Sequence, residues 1–229
     1  MALVILVAVG AFAALGATWW FQYHTAQKRI AALQAIASEL GLSFSVDDPD
    51  GTIGLPFTLF TKGKKRDVEN VMWGEHDGLP VHVFDYWYYE ESNNGRNRTR
   101  TYYRFTCTTL QIGANCPALR IGRENLLTRL GSSLGFKDVE LEFEEFNRAF
   151  RVHCTDQRFA FSLLDGRMME WLLELHSLQS IEVVGPFVLF AAPKLEPSSW
   201  PVLCEVLGQF HKQVPRVVYA TWPADGGRA

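Results

Sequence analysis

No lysine, arginine, aspartate or glutamate occurs in the first 27 residues of this 229-residue chain. The chain as a whole also lacks a basic excess. Its 22 Lys and Arg stand against 25 Asp and Glu, a formal net charge of −3 with a pI near 6.1. That balance argues against a general nucleic-acid binder. Cysteines are few and scattered: Cys107, Cys116, Cys154 and Cys204 form no CxxC pair and show no metal-like spacing. In a reducing compartment they read as buried small hydrophobes. No GxSxG, P-loop, GxGxxG or HExxH motif is present, so the sequence assigns no reaction. Ten Pro and eighteen Gly without a long polar tract argue against a disordered chain. What remains, 48% hydrophobic and 21% charged, suffices for one ordinary globular domain or two small ones.

The charge-free stretch is itself informative. Residues 2–21 read ALVILVAVGAFAALGATWWF. A helix of that length rises about 30 Å, the thickness of a bilayer's hydrocarbon core. Trp19, Trp20 and Tyr23 gather at its end, where amphipathic rings favour the headgroup layer. Lys28 and Arg29 follow, and no basic residue precedes. The positive-inside rule then puts the N-terminus outside and the bulk of the chain in the cytoplasm, at the cell inner membrane. A cleaved signal peptide is the rival, with small residues at 14–17, but it should open on a basic region that is missing here.

Beyond this expected anchor (1–24), residues 25–41 read as a juxtamembrane amphipathic helix. Ile30, Leu33, Ala37 and Leu40 share its inner face, and Gly41 stops it. A soluble α+β domain is expected over 42–222, with a loose tail at 223–229. Asp77-Gly78 and Asn94-Gly95 are type I′ hairpin signals between β-rich runs. They predict a meander of strands at about 68–76, 80–90 and 100–111. Two-residue turns would make paired positions sum to 155 and then to 189. Val71, Phe84, Phe105, Tyr86 and Tyr103 would then form the core face. Asp85 would sit opposite Arg104 on the other face as a structural ion pair, since a covered carboxylate needs a partner.

Farther on, 123–130 reads as a short helix, and 138–144 as a half-exposed strand whose outer face carries Asp138, Glu140, Glu142 and Glu144. A strand follows at 150–155. Residues 165–178 read as a helix, 180–185 and 186–192 as two strands joined at Gly185-Pro186. Ser199 caps a last helix that turns Val202, Val206, Leu207 and Phe210 inward. Strands and helices come in blocks, which points to a mainly antiparallel sheet with flanking helices.

Three constellations could carry function. The acidic strand could hold a divalent cation, although same-face residues are nearly 7 Å apart. His82 opposite Cys107 resembles a thiolate–imidazole pair, but both fall on the core face. The third is an aromatic and basic hairpin centred on Trp87, Tyr89, Arg98, Arg100 and Tyr102. Aromatics interleaved with arginine suit a protein interface, an anionic lipid surface, a single strand of nucleic acid (which Glu90 and Glu91 argue against) or cross-strand packing.

The segments Phe57-Thr58-Leu59-Phe60-Thr61-Lys62-Gly63, Asn70-Val71-Met72-Trp73-Gly74, Val83-Phe84-Asp85-Tyr86, Cys116-Pro117-Ala118-Leu119 and Glu145-Phe146-Asn147-Arg148-Ala149-Phe150-Arg151-Val152 follow a single N-terminal hydrophobic helix. In that order they resemble a family of bacterial membrane-anchored proteins known only as a domain of unknown function, over roughly residues 25–215. The resemblance implies a bacterial membrane location and brings no catalytic residues. The expectation is a membrane-anchored, non-enzymatic interaction domain without cofactor or metal. It holds the membrane through residues 2–21 and meets a protein partner at the hairpin, with no nucleic acid. The alternative is a metal-assisted hydrolase using Asp85 or the acidic strand.

Overall fold

A computed structural model describes residues 2–93, 95, 97–123 and 135–224, with the side chains of residues 2–15 outside that description. The helix expected at 123–130 falls almost wholly outside it, as does most of the expected tail. The chain forms α1 (Ala2–Glu39), β1 (Ser43–Ser45), β2 (Lys65–His76), β3 (Leu79–Asn93) and β4 (Arg98–Gly122). Then come β5 (Lys137–Val139), α2 (Glu144–Ala149), β6 (Arg151–Cys154), α3 (Gln157–Leu163) and α4 (Gly166–Glu174). Last are β7 (Ser180–Pro193), α5 (Trp200–Gln213) and α6 (Arg216–Thr221). This is an α+β fold, a large antiparallel sheet with flanking helices.

The sheet order is β1-β2-β3-β4-β6-β5, and β7 pairs with β4 as well. The long β4 is the spine. Its first half pairs with β3, its last four residues with β6, and β7 lines most of it. Apolar side chains cover both faces. On one, Val71, Phe84, Phe105 and Cys107 pack under Phe57, Leu59 and Phe60 of the 55–61 loop. On the other, Met72, Val81, Val83 and Leu110 join Leu33 and Ala37 of α1 and Trp200, Leu207 and Phe210 of α5 in a larger cluster. The sequence pattern marked only the first face as core. Its second face is mixed in type because Asp85, Thr106 and Thr108 interrupt an otherwise apolar surface.

α1 is one continuous helix through the expected boundary at 24/25. It ends in a Schellman motif: Leu42 N–H donates to Ala37 C=O at 2.8 Å, Gly41 N–H to Ser38 C=O at 3.3 Å, and Gly41 has φ 69°. Among the described residues no helix is long and apolar enough to cross a membrane. Most of the charge-free 2–21 stretch has its side chains outside those residues.

The first turn forms as read. Asp77 (φ 52°) and Gly78 (φ 77°) are both left-handed, and the pairing runs from His76↔Leu79 to Met72↔Val83. Beyond Met72 a bulge at Asn70, itself at φ 56°, shifts the register by one so that Glu69 faces Asp85. The second turn is longer than two residues: Asn93 pairs with Arg98. The register therefore slips by two from the expected one. A two-residue slip keeps every side chain on its face but changes every partner. Asp85 faces Thr106, Trp87 faces Arg104, and Phe84 faces Cys107.

Three other readings change. The acidic strand ends at Val139, and Glu144 opens α2, where it pairs with Arg148. The two strands expected around Gly185-Pro186 are one strand, because Gly185 (φ 58°) absorbs an irregularity opposite Cys116 instead of making a turn. The helix opened by Asp165 stops at Glu174, although Asp165 does cap it by accepting from Met168 N–H at 2.8 Å. Ser199 precedes α5 without a side-chain capping bond, Val202 is exposed, and α6 follows α5.

Candidate interaction surface and the buried carboxylate beside it

Asp85 lies between Val83 and Trp87 on a strand covered on both faces, and is 1% exposed. A carboxylate so placed must be both paired and hydrogen-bonded. Its partner is Arg29 of α1, and the expected pair with Arg104 does not form. Arg29 Nε donates to Oδ2 and Nη2 to Oδ1, both at 2.8 Å, the fork-to-fork geometry of the strongest charge-assisted pairs. Asn70 Nδ2 donates to Oδ2 at 3.0 Å, and the Thr106 hydroxyl donates to Oδ1 at 3.2 Å. Lys194 Nζ stands 3.4 Å from Oδ2 and 3.6 Å from Glu69. The left-handed backbone at Asn70 turns its amide toward this site. Arg104 lies instead over the Tyr102 ring, at 5.7 Å. The carboxylate is thus committed to holding α1 on the sheet.

Past Tyr88, which is still buried in the first core, the β3–β4 hairpin leaves the cores and becomes basic and aromatic. Glu91 is its hub, accepting hydrogen bonds from Lys64 at 2.7 Å and Arg100 at 2.9 Å and ion-paired with Arg98 at 2.9 Å. Those hydrogen bonds, Lys64's first, pull its carboxyl down to about 2. Arg100 also stacks on Tyr89 at 4.9 Å, and Lys65 stands over Trp87 at 5.6 Å. Tyr102 is in ring contact with Trp87 and Tyr89 while remaining 48% exposed. All five residues of the expected contact surface, Trp87, Tyr89, Arg98, Arg100 and Tyr102, thus share one end of one hairpin. Lys64, just ahead of β2, and Lys65, its first residue, join them. The sequence marks Lys62-Gly63-Lys64-Lys65-Arg66 as a basic cluster, either a solvated loop or a contact for anionic headgroups, but its place beside the hairpin follows only from β2–β3 pairing.

The other candidates do not assemble. His82 pairs with Thr109, and Cys107 is wholly buried among apolar groups, which pushes its thiol well up. Asp138 meets His153 Nε2 at 3.0 Å. No group of three His, Cys, Asp or Glu among the described residues could hold a metal ion. Two cavities of about 290 Å³ flank the sheet. One is apolar, between α5, β7 and the 174–178 segment; the other is more polar, beside His82, Thr52 and Gln111.

The fold and this hairpin define an α+β domain with an N-terminal helix locked to its sheet. Residues 109–187 match the profile of a family described as "Protein of unknown function (DUF3137)". That segment covers β4 to β7, a narrower stretch than the 25–215 of the expected resemblance. Comparison with curated proteins finds no match. Among solved structures, the crystal structure of the mycobacterial trehalose monomycolate transport factor A, TtfA, is similar with a TM-score of 0.58 at 13% identity. The likeness covers 81% of this chain and 96% of that one. It is a likeness of fold.

Proposed function

We propose that the chain is a membrane-tethered, non-enzymatic binding protein whose sheet domain holds another component at the membrane surface. The observation that carries this reading is the Arg29–Asp85 lock together with what α1 does ahead of it. Trp19, Trp20, Phe21 and Tyr23 are 69, 59, 67 and 54% exposed, spread around the helix. Four large rings left bare in that way suit a headgroup layer better than water. Residues 2–21 then span the bilayer, with the N-terminus outside and the domain cytoplasmic. A continuous helix bolted to the sheet by a bidentate ion pair fixes the domain at one height and orientation, which is what a docking platform needs. The solved structure of this fold is named a transport factor, and a tethered platform is one kind of part such a factor can supply.

The test is extraction. Membranes carrying the full chain, washed with alkaline carbonate and high salt and then floated, should retain it. Release by either wash would show surface adsorption and overturn the tether.

A further inference from the structure

The lock also fixes which end of the domain faces the tether. Arg29 meets Asp85 on β3, and at the far end of α1 Leu42 lies against Gly74, which pairs with Val81. From Arg29 to Leu42 the helix and its cap therefore follow β3 from Asp85 down to Val81, opposite to the strand's direction. Followed backward from Arg29, α1 heads the way β3 heads beyond Asp85, toward Trp87, Tyr89 and Glu91. The ten residues from Arg29 back to Trp19 rise about 15 Å. Four strand residues from Asp85 to Tyr89 span about 13 Å, and the hairpin continues to Asn93, leaving reach for the tilt between helix and strands. The bare aromatic segment of α1 and the basic, aromatic hairpin thus lie at the same end and the same height. The 62–66 segment belongs there too, because Lys64 N–H donates to Tyr89 C=O at 2.9 Å.

Charge is segregated to match. Segments 62–67 and 87–104 together hold eight basic and three acidic residues, in a chain whose formal net charge is −3. Glu91 neutralises one of the three cations it gathers, and its cage holds the remaining excess in place. Lys65, Arg66 and Arg104 stand outside the cage. Tyr102, Trp87 and Tyr89 supply rings of the type that settle at headgroup depth.

We infer that this end of the hairpin, with the 62–66 segment, docks on an anionic lipid surface beside the point where α1 enters the bilayer. The inference rests on the tethered reading and names the surface that platform sits on. Phosphate headgroups match the lysine and arginine side chains, and juxtamembrane basic residues near an anionic leaflet each contribute roughly fivefold to partitioning.

The experiment uses the full chain in nanodiscs of phosphatidylcholine alone and of phosphatidylcholine with phosphatidylglycerol, read by amide hydrogen exchange. The expected result is incorporation into both, with amides of 87–104 slowed only in anionic discs and released again at high salt. Lys65→Gln with Arg104→Gln leaves the Glu91 cage intact and should reverse most of that slowing while the sheet core stays protected. Equal exchange of 87–104 in the two discs would overturn the lipid contact while leaving the tether standing. Protection that requires an added protein instead of anionic lipid would overturn it in favour of a protein interface. Failure to enter either disc would overturn the tether and this contact with it.

Discussion

Arg29 and Asp85 are 56 residues apart and belong to different elements, yet they form a bidentate pair with both contacts at 2.8 Å. Removing one member of a buried pair strands the other, which costs about 3–5 kcal/mol. Arg29→Ala should fall toward the lower end, since Lys194 still faces the carboxylate at 3.4 Å. Denaturant unfolding of the full chain in detergent measures this, and a loss under about 1 kcal/mol would mean the pair is ornamental. Why was Asp85 legible in the sequence as a buried, paired carboxylate but Arg29 not as its mate? Strand alternation says which residues are covered, whereas nothing local says which helix does the covering. Glu91 offers a second test. Its carboxyl sits at about 2 in the fold against an ordinary 4.5. Its contribution is therefore full above about pH 4.5 and is lost as pH falls toward 2. Protection factors of the hairpin amides, corrected for intrinsic exchange, should fall over that window, and Glu91→Gln should remove that fall.

The β2–β3–β4 meander was the most legible element, and its errors are instructive. Asp77-Gly78 sets a two-residue turn, and the pairing near it follows the simple sum. Asn94-Gly95 carries the same signal, but the polar run around it allows a longer loop. Faces survived that slip; partners did not. The bulge at Asn70 had no local signal, because its cause is the carboxylate across the strand. At the base of the hairpin Gly63 (φ 74°) is bound by close approach. A Cβ there would come within 2.7 Å of Tyr89 O and of Tyr88 Cδ2. Gly63→Ala should cost about 1–3 kcal/mol, seen as a lowered melting temperature. On the other face Leu33 is fully buried between α1 and the sheet. Leu33→Ala should cost about 2–5 kcal/mol and speed exchange in residues 26–39 more than in β3 or β4.

At the scale of the whole molecule, two cores on opposite faces of one sheet make a domain that needs no disulfide: all four cysteines are free and buried. Burial pushes the thiols up, Cys204 to about 11 and Cys116 to about 12, so they are inert at neutral pH. The overall class was readable from the block order of strands and helices. The placement of the candidate surface relative to α1 was not, because it depends on the direction in which the helix crosses the sheet. That direction brings the exposed aromatic rings of α1 and the basic hairpin to one end of the domain.

The most direct measurement places α1 against the bilayer. Because the native cysteines are buried, Gly16→Cys, Gln22→Cys and Gln27→Cys can each carry a spin label in the full chain within nanodiscs. The account predicts that oxygen, which concentrates in lipid, relaxes the label at 16 most. A water-soluble nickel chelate should relax the label at 27 most, with the crossover at 22 among the aromatic residues. Labels at 16 and 27 equally open to the chelate would contradict it, and α1 would then be a helix beside the membrane, not one entering it.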